Sequence, residues 1–259
     1  MAVNGQRRNA RLFKAHLVPG WDDDAGQVIA DQLERTGLVT LTGLTSAQDI
    51  AGIAAQVMDT SPYQGEEPYG LHGICDTREH AHRIDGAVHT RGPVDLHTCG
   101  AALRWPPRLI LLACVQKARK GGEVLLADSR ALYVDLLRSR PDAAHALSLP
   151  RAAHFGLEAE SFFAPVFKLL AGQLDAVRLR QDGFVRWPEH TQPYVPVLRS
   201  LLARHQQAIT LRPGEAVLLD NARWLHGRTA FTGNRLFFRA EGAALIPTDG
   251  EVWPGVEPQ

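Results

Sequence analysis

Two short segments hold the residues best equipped for chemistry. They are Leu96-His97-Thr98-Cys99-Gly100 and Asn221-Ala222-Arg223-Trp224-Leu225-His226-Gly227-Arg228-Thr229, with Arg235 and Arg239 following the second. Imidazole is the commonest metal-donating side chain. A guanidinium takes a carboxylate through two parallel, charge-assisted hydrogen bonds, a geometry lysine cannot copy. Two widely separated histidines with arginines after the second therefore suggest a non-haem iron site that takes a carboxylate-bearing cosubstrate. Such iron(II) sites use two imidazoles and one carboxylate on one face and leave the other positions open. On a strand, residues i and i+2 point the same way. His97 and Cys99 would then fill two ligand places and His226, from a later strand, the third. The place that normally carries an acid holds Cys99.

The elements that must position these residues can be read from periodicity and punctuation. Gly26 to Thr36 reads as a helix and Leu38 to Leu41 as a strand; Ala47 to Met58 has apolar residues at helical spacing (Ile50, Ile53, Ala54, Val57). Residues 60–95 show no clear period and are expected to form a lid or binding loop. Leu109 to Val115 and Glu123 to Asp128 read as strands parted by a turn at Lys120-Gly121-Gly122. Ser129 is expected to cap a helix through Arg138, and Pro141 to start another. Short strands over 175–187, a helix from Tyr194 to Gln207 and strands at Ala208–Leu211, Ala216–Leu219 and Arg235–Ala240 complete the pattern. The fold class expected is mainly β with added helices, the core a double-sheet jelly roll. Residues 1–24 are expected to be a flexible segment, 25–247 one domain and 248–259 a tail.

Composition narrows the functions. The 259 residues suffice for one large domain, and 28 basic against 28 acidic side chains argue against nucleic acid or an anionic membrane as partner. The N-terminus has basic residues but no apolar stretch of the signal-peptide kind, and no apolar run is long enough to span a bilayer. Three cysteines without CxxC spacing suggest neither a disulfide framework nor a zinc knuckle, so the expected compartment is the cytoplasm.

The neighbouring motifs carry a resemblance. Pro106-Pro107-Arg108-Leu109-Ile110-Leu111-Leu112, Gly121-Gly122-Glu123, Asp128-Ser129-Arg130-Ala131-Leu132 and Leu219-Asp220-Asn221 occur in order with Arg223-Trp224-Leu225-His226-Gly227-Arg228-Thr229-Ala230-Phe231 and Arg235-Leu236-Phe237-Phe238-Arg239. Over residues 30–245 the chain resembles the TauD/TfdA-like iron(II)/2-oxoglutarate oxygenases, the taurine dioxygenase and clavaminate synthase superfamily. The resemblance implies a clavaminate synthase-like double-stranded β-helix. It implies His97 and His226 as catalytic iron ligands and Arg239 as the holder of the far carboxylate of 2-oxoglutarate; Arg235, four residues earlier and so on the same strand face, reads either as a cosubstrate contact or support or as one half of a surface or structural ion pair. The activity implied is a dioxygenase that uses Fe(II), 2-oxoglutarate and O2 on a small-molecule substrate, and a homo-oligomer is left open.

Cys99 departs from that pattern, and four readings stand. It could ligate as a thiolate, which a metal favours by lowering the thiol pKa. It could leave an open position, as in relatives that accept halide and halogenate. Asp95 could supply the acid from the other side of His97. Or the site could be metal-deficient, making the chain a pseudoenzyme or binding protein; a cupin-like metal hydrolase, which would not need Arg239, is a further alternative. A second departure is Val124, where some relatives carry a threonine. His72, His80, His82 and His89 match no ligand template. Tyr69, His72 and Arg83 are weak substrate-contact candidates, and Glu66 and Glu67 read as a solvated turn. Cys114 reads as inert core, Cys75 as exposed, Trp224 as packing, and Asp220 and Asn221 as turn formers.

Overall fold

The computed structural model describes residues 10–18, 25–60, 68–76, 86–157 and 160–246. Glu66, Glu67, His80, His82, Arg83 and the tail from 248 onward lie outside them.

Helix α1 (Ala25–Thr36) and helix α2 (Ala47–Val57) present apolar stripes of the expected spacing, and Ile29, Leu33, Ile50, Ile53 and Val57 are buried. A capping box starts α2: Asp49 N–H donates to Ser46 Oγ at 3.1 Å and Ser46 N–H to Asp49 Oδ2 at 2.8 Å. The strands begin with β1 (Leu17–Val18), β2 (Leu38–Leu41), β3 (Met58–Thr60), β4 (His72–Ile74), β5 (Val94–His97), β6 (Leu109–Gln116), β7 (Lys120–Gly121) and β8 (Val124–Asp128). Helices α3 (Ser129–Ser139) and α4 (Pro141–Ser148) follow. An insertion of short strands comes next: β9 (Ala153–Phe155), β10 (Phe162–Ala164), β11 (Phe167–Leu170), β12 (Gln173–Val177) and β13 (Val185–Arg186). Helix α5 (Val195–His205) leads to β14 (Gln207–Ile209), β15 (Ala216–Asp220), β16 (Trp224–Arg228), β17 (Phe231–Thr232) and β18 (Leu236–Ala244).

The chain is a mixed α and β structure with two principal sheets. The larger runs β1-β2-β15-β6-β18-β3, with β4 also on β18; the smaller runs β14-β8-β16-β5. Strand β6 shows how the layers stack. Its Ile110, Leu112 and Cys114 pack with Val124 and Leu126 of β8 and Phe237 of β18 in the layer between the sheets. Its alternate residues Leu109, Leu111 and Ala113 pack with α1 and α2 on the far side. A strand buried on both faces must be a continuous apolar run, as its sequence is. Beyond the smaller sheet, Leu125, Ala127 and Leu225 meet Leu132, Leu136, Leu198 and Leu201 of α3 and α5. Burying each such leucine contributes about 1.5–3 kcal/mol, so helix, sheet, sheet and helix are held as one stack.

Three local expectations need correction. Asp128, not Ser129, caps α3: its Oδ1 accepts the Arg130 N–H at 3.0 Å, and the Ser129 hydroxyl is buried. A carboxylate at the positive end of a helix is favoured further by the helix dipole. Residues 60–95 are not one loop, because β4 pairs with β18 and a 3₁₀ turn spans Gly86–His89. Lys120-Gly121 is a two-residue strand paired to β17. Within the N-terminal segment expected to be flexible, β1 lies parallel to β2, and Thr40 Oγ1 donates to the Phe13 carbonyl at 2.7 Å.

Candidate active site

Strands β5 and β16 are antiparallel neighbours in a register that sets His97 opposite His226. Their ring centroids are 4.6 Å apart. Gly227 permits this approach, since a Cβ there would stand 2.5 Å from the Val94 carbonyl oxygen of β5. The His97 Nδ1 lies 2.9 Å from the Asp95 carbonyl oxygen, an acceptor, so in the neutral ring Nδ1 carries the proton and Nε2 keeps its lone pair. The His226 Nδ1 is buried without a hydrogen-bond partner among the described residues. Burial holds the pKa of His97 below its usual value; burial, then His97 and Arg239, hold that of His226 well below. Both rings are therefore neutral, the form that ligates metal.

Both histidines line a pocket together with Arg228, Arg235 and Arg239, walled by Val94, Leu112, Val124 and Phe237. Arg235 precedes β18 rather than lying within it, and a register shift separates Leu236 from Phe237, yet both expected arginines reach the pocket. Their surroundings differ. Arg239 Nε lies 3.3 Å from Glu241 Oε2. Arg235 is 6% exposed, stacks 3.7 Å from the Phe237 ring centroid and donates from Nε to the Gly122 carbonyl at 3.3 Å. Burial, then Arg228, lower its pKa to about 9, and no carboxylate among the described residues offsets them. Arg228 anchors the wall instead, donating to the carbonyls of Val88, Thr90 and Gly92 at 2.9, 2.7 and 2.6 Å.

Cys99 does not sit on the strand beside His97. Strand β5 ends at His97, and Thr98 turns away, its N–H donating to Leu179 O at 2.9 Å and its hydroxyl to Val177 O at 3.0 Å. The i, i+2 argument therefore fails at this residue. Asn221 clamps the turn: it accepts the Cys99 N–H at 2.9 Å and donates to the carbonyls of Cys99 and Pro107 at 3.0 and 2.8 Å. The thiol donates to Glu241 Oε2 at 3.2 Å and accepts from Arg239 Nη1 at 3.7 Å. Among the described residues, no three His, Cys, Asp or Glu side chains are grouped to hold a metal ion as they stand. Asp95 is exposed and meets His97 only through its backbone.

Residues 9–240 match the model of the taurine catabolism dioxygenase TauD, TfdA family. The chain belongs to that family. Among relatives of the TauD/TfdA chain, trimethyllysine dioxygenase of Gallus gallus is 27% identical over 166 residues, covering 57% of this chain and 40% of that enzyme. Gamma-butyrobetaine dioxygenase of Homo sapiens is 26% identical over 228 residues, covering 82% of this chain and 57% of that enzyme. The chain thus spans roughly half the length of these curated relatives. Among solved structures, the oxygenase OrfP with Fe and alpha-ketoglutaric acid superposes with a TM-score of 0.68 at 14% identity, covering 92% of this chain and 83% of that one. Asparagine oxygenase with Fe(II), hydroxyasparagine and succinate gives 0.66 at 16%, covering 86% and 80%.

Several family motifs touch here. Thr229 Oγ1 accepts the N–H groups of Gly122 and Glu123 at 3.0 and 3.1 Å and donates to the Glu123 carboxylate. Arg108 pairs with buried Asp220 at 2.8 Å, and Trp224 Nε1 donates to Thr36 O at 2.8 Å. Cys114 is 1% exposed, and burial pushes its thiol up to about 11. Cys75 is partly buried rather than exposed. Of the substrate candidates, Tyr69 is 63% exposed, whereas His72 pairs across strands with Arg239 and its Nε2 lies 3.2 Å from that of buried His89. Sequence reasoning missed Glu241 because a lone glutamate beyond the last motif carries no spacing signal. Its one clue is the i+2 step from Arg239.

Proposed function

We propose that this TauD/TfdA family member is an iron(II)- and 2-oxoglutarate-dependent dioxygenase acting on a small molecule, its two sheets forming the family's double-stranded β-helix. The observation that carries the reading is the His97–His226 juxtaposition, two neutral rings in a pocket shared with buried guanidinium groups. The residues fit a metal: one ring has its donor nitrogen freed by a backbone contact, and the other carries an unsatisfied buried nitrogen. Bound iron and cosubstrate would supply the oxidising chemistry. The protein's share is to hold the two imidazoles at fixed separation, orient the cosubstrate and keep water out behind an apolar wall.

Both arginines serve the cosubstrate in this reading, with the emphasis reversed from the family-based expectation. Arg235 has no acid among the described residues against it and therefore takes the far carboxylate, while Arg239, already facing Glu241, orients groups nearer the metal. Anaerobic addition of iron(II) and 2-oxoglutarate should give a weak visible charge-transfer band, abolished in His226→Ala. Arg235→Ala should raise the 2-oxoglutarate concentration needed for half the band by about 10-fold to 100-fold, the loss expected for a charged hydrogen-bonding partner. A band that never forms, with no 2-oxoglutarate consumed, would sink the reading.

One observation favours a second reading. The Cys99 thiol faces Glu241 and Arg239, and among the described residues no three donor side chains are grouped for a metal as they stand. A binding protein that has lost the metal would keep this arrangement and show no metal-dependent spectrum.

A further inference from the structure

Alternation along β18 sends Phe237, Arg239 and Glu241 to one face, opposite Cys114, Leu112 and Ile110 of β6. Those partners belong to the layer between the sheets, whereas Ala240 packs in the core beneath α1 and α2. A carboxylate placed there loses most of its hydration, which is costly without compensating partners. The Glu241 side chain is 11% exposed. Its Oε2 meets Cys99 Sγ at 3.2 Å and Arg239 Nε at 3.3 Å. A simple ion pair with Arg239 would explain one contact. It leaves unexplained why the acid touches Cys99, the residue at which the metal-binding pattern lacks its own acid.

We propose that Glu241 is the anionic oxygen donor of the metal centre, moved from the turn after β5 to strand β18, with Cys99 as the small, uncharged neighbour that holds its carboxylate while no metal is bound. The inference rests on the reading of His97 and His226 as metal ligands. Two neutral imidazoles and one carboxylate preserve both the charge and the hardness of a facial iron(II) site, whereas a thiolate at Cys99 would keep the charge and lose the hardness. Donation requires Glu241 to turn about its own side-chain bonds, releasing Arg239 and Cys99, while β6 keeps the strand in place. The cysteine then has a reason to be small and uncharged. An aspartate at 99 would press one carboxylate against another, and like charges in contact disfavour each other's ionised form.

Anaerobic titration with Co(II) alone, followed by absorption, tests this without turnover. Wild type should bind Co(II) with no sulfur-to-cobalt band. Glu241→Gln should weaken binding by roughly 100-fold or more, beyond what loss of an orienting partner costs. Cys99→Ser, which keeps a donor to Oε2, should stay close to wild type. Cys99→Asp should impair binding in the wild-type background yet restore it in Glu241→Gln, a reversal of sign that marks two residues sharing one role. A sulfur-to-cobalt band lost in Cys99→Ser, or Glu241→Gln binding like wild type, overturns the proposal. If circular dichroism shows Glu241→Gln unfolded, the double variant decides: folded and tight supports it, and weak or unfolded overturns it. Absence of Co(II) binding in wild type, or binding untouched by His226→Ala, brings down the histidine reading itself.

Discussion

Asn221 gives the turn after His97 its shape with three hydrogen bonds from one buried side chain. Asn221→Ala leaves the Cys99 N–H and two carbonyls without partners, and the unsatisfied N–H alone should cost about 1–3 kcal/mol. Urea unfolding should show a lower midpoint at unchanged slope, since the surface exposed on unfolding barely changes. An unchanged midpoint would mean that water or a shifted backbone replaces the amide. At this scale the sequence was half legible. Its type alone places Asn221 in a turn, but its partner, Cys99, lies far away in the chain.

Pairing of β5 with β16 is the element-level event that makes the site. It depends on a close approach at Gly227, where any Cβ meets the Val94 carbonyl at 2.5 Å. Gly227→Ala must push β5 outward or strain β16, an overpacking cost of typically about 1–3 kcal/mol. The expected result is a lower melting temperature together with weakened metal binding, because His97 rides on the displaced strand. Loss of one without the other would show that the histidines are positioned independently of the pairing. The glycine was visible in the motif, though only as part of a resemblance. Its physical reason is a backbone contact from another strand.

Acidification should act on the whole molecule through the half-buried His97 and the buried His226. His97 and His226 both have pKa values held below the ordinary histidine value of 6.5, chiefly by burial. The unfolded chain therefore takes up protons first as pH falls, so stability is fully present above about 6.5 and is lost as pH falls through it toward the folded values. Each tenfold drop in a ring's proton affinity on folding corresponds to about 1.4 kcal/mol, and the loss levels off once both states are protonated. Urea midpoints measured without metal should fall from about pH 7.5 to about pH 5.5, and His226→Asn should flatten that slope. A flat profile in wild type would show that the rings protonate in the folded state as easily as in water. One feature of this scale was legible from the chain alone. No helix among the described residues is long and apolar enough to cross a membrane, as the short apolar runs implied.

The sequence by itself determined the main helices, the long apolar core strands and the family, and it offered the two histidines and two arginines as candidates, because these depend on local periodicity and on motifs short enough to be contiguous. It could even show that a cysteine, Cys99, stands where the family pattern has its acid. Tertiary structure alone decided three things. β5 ends at His97, so Cys99 leaves the strand face. Arg235, not Arg239, is the guanidinium without an acid against it among the described residues. And Glu241 meets the thiol from across the molecule. The physical reason is common to all three: charge, burial and hydrogen bonding act over ångströms in space, and here the partners are contributed by strands with no sequence spacing in common.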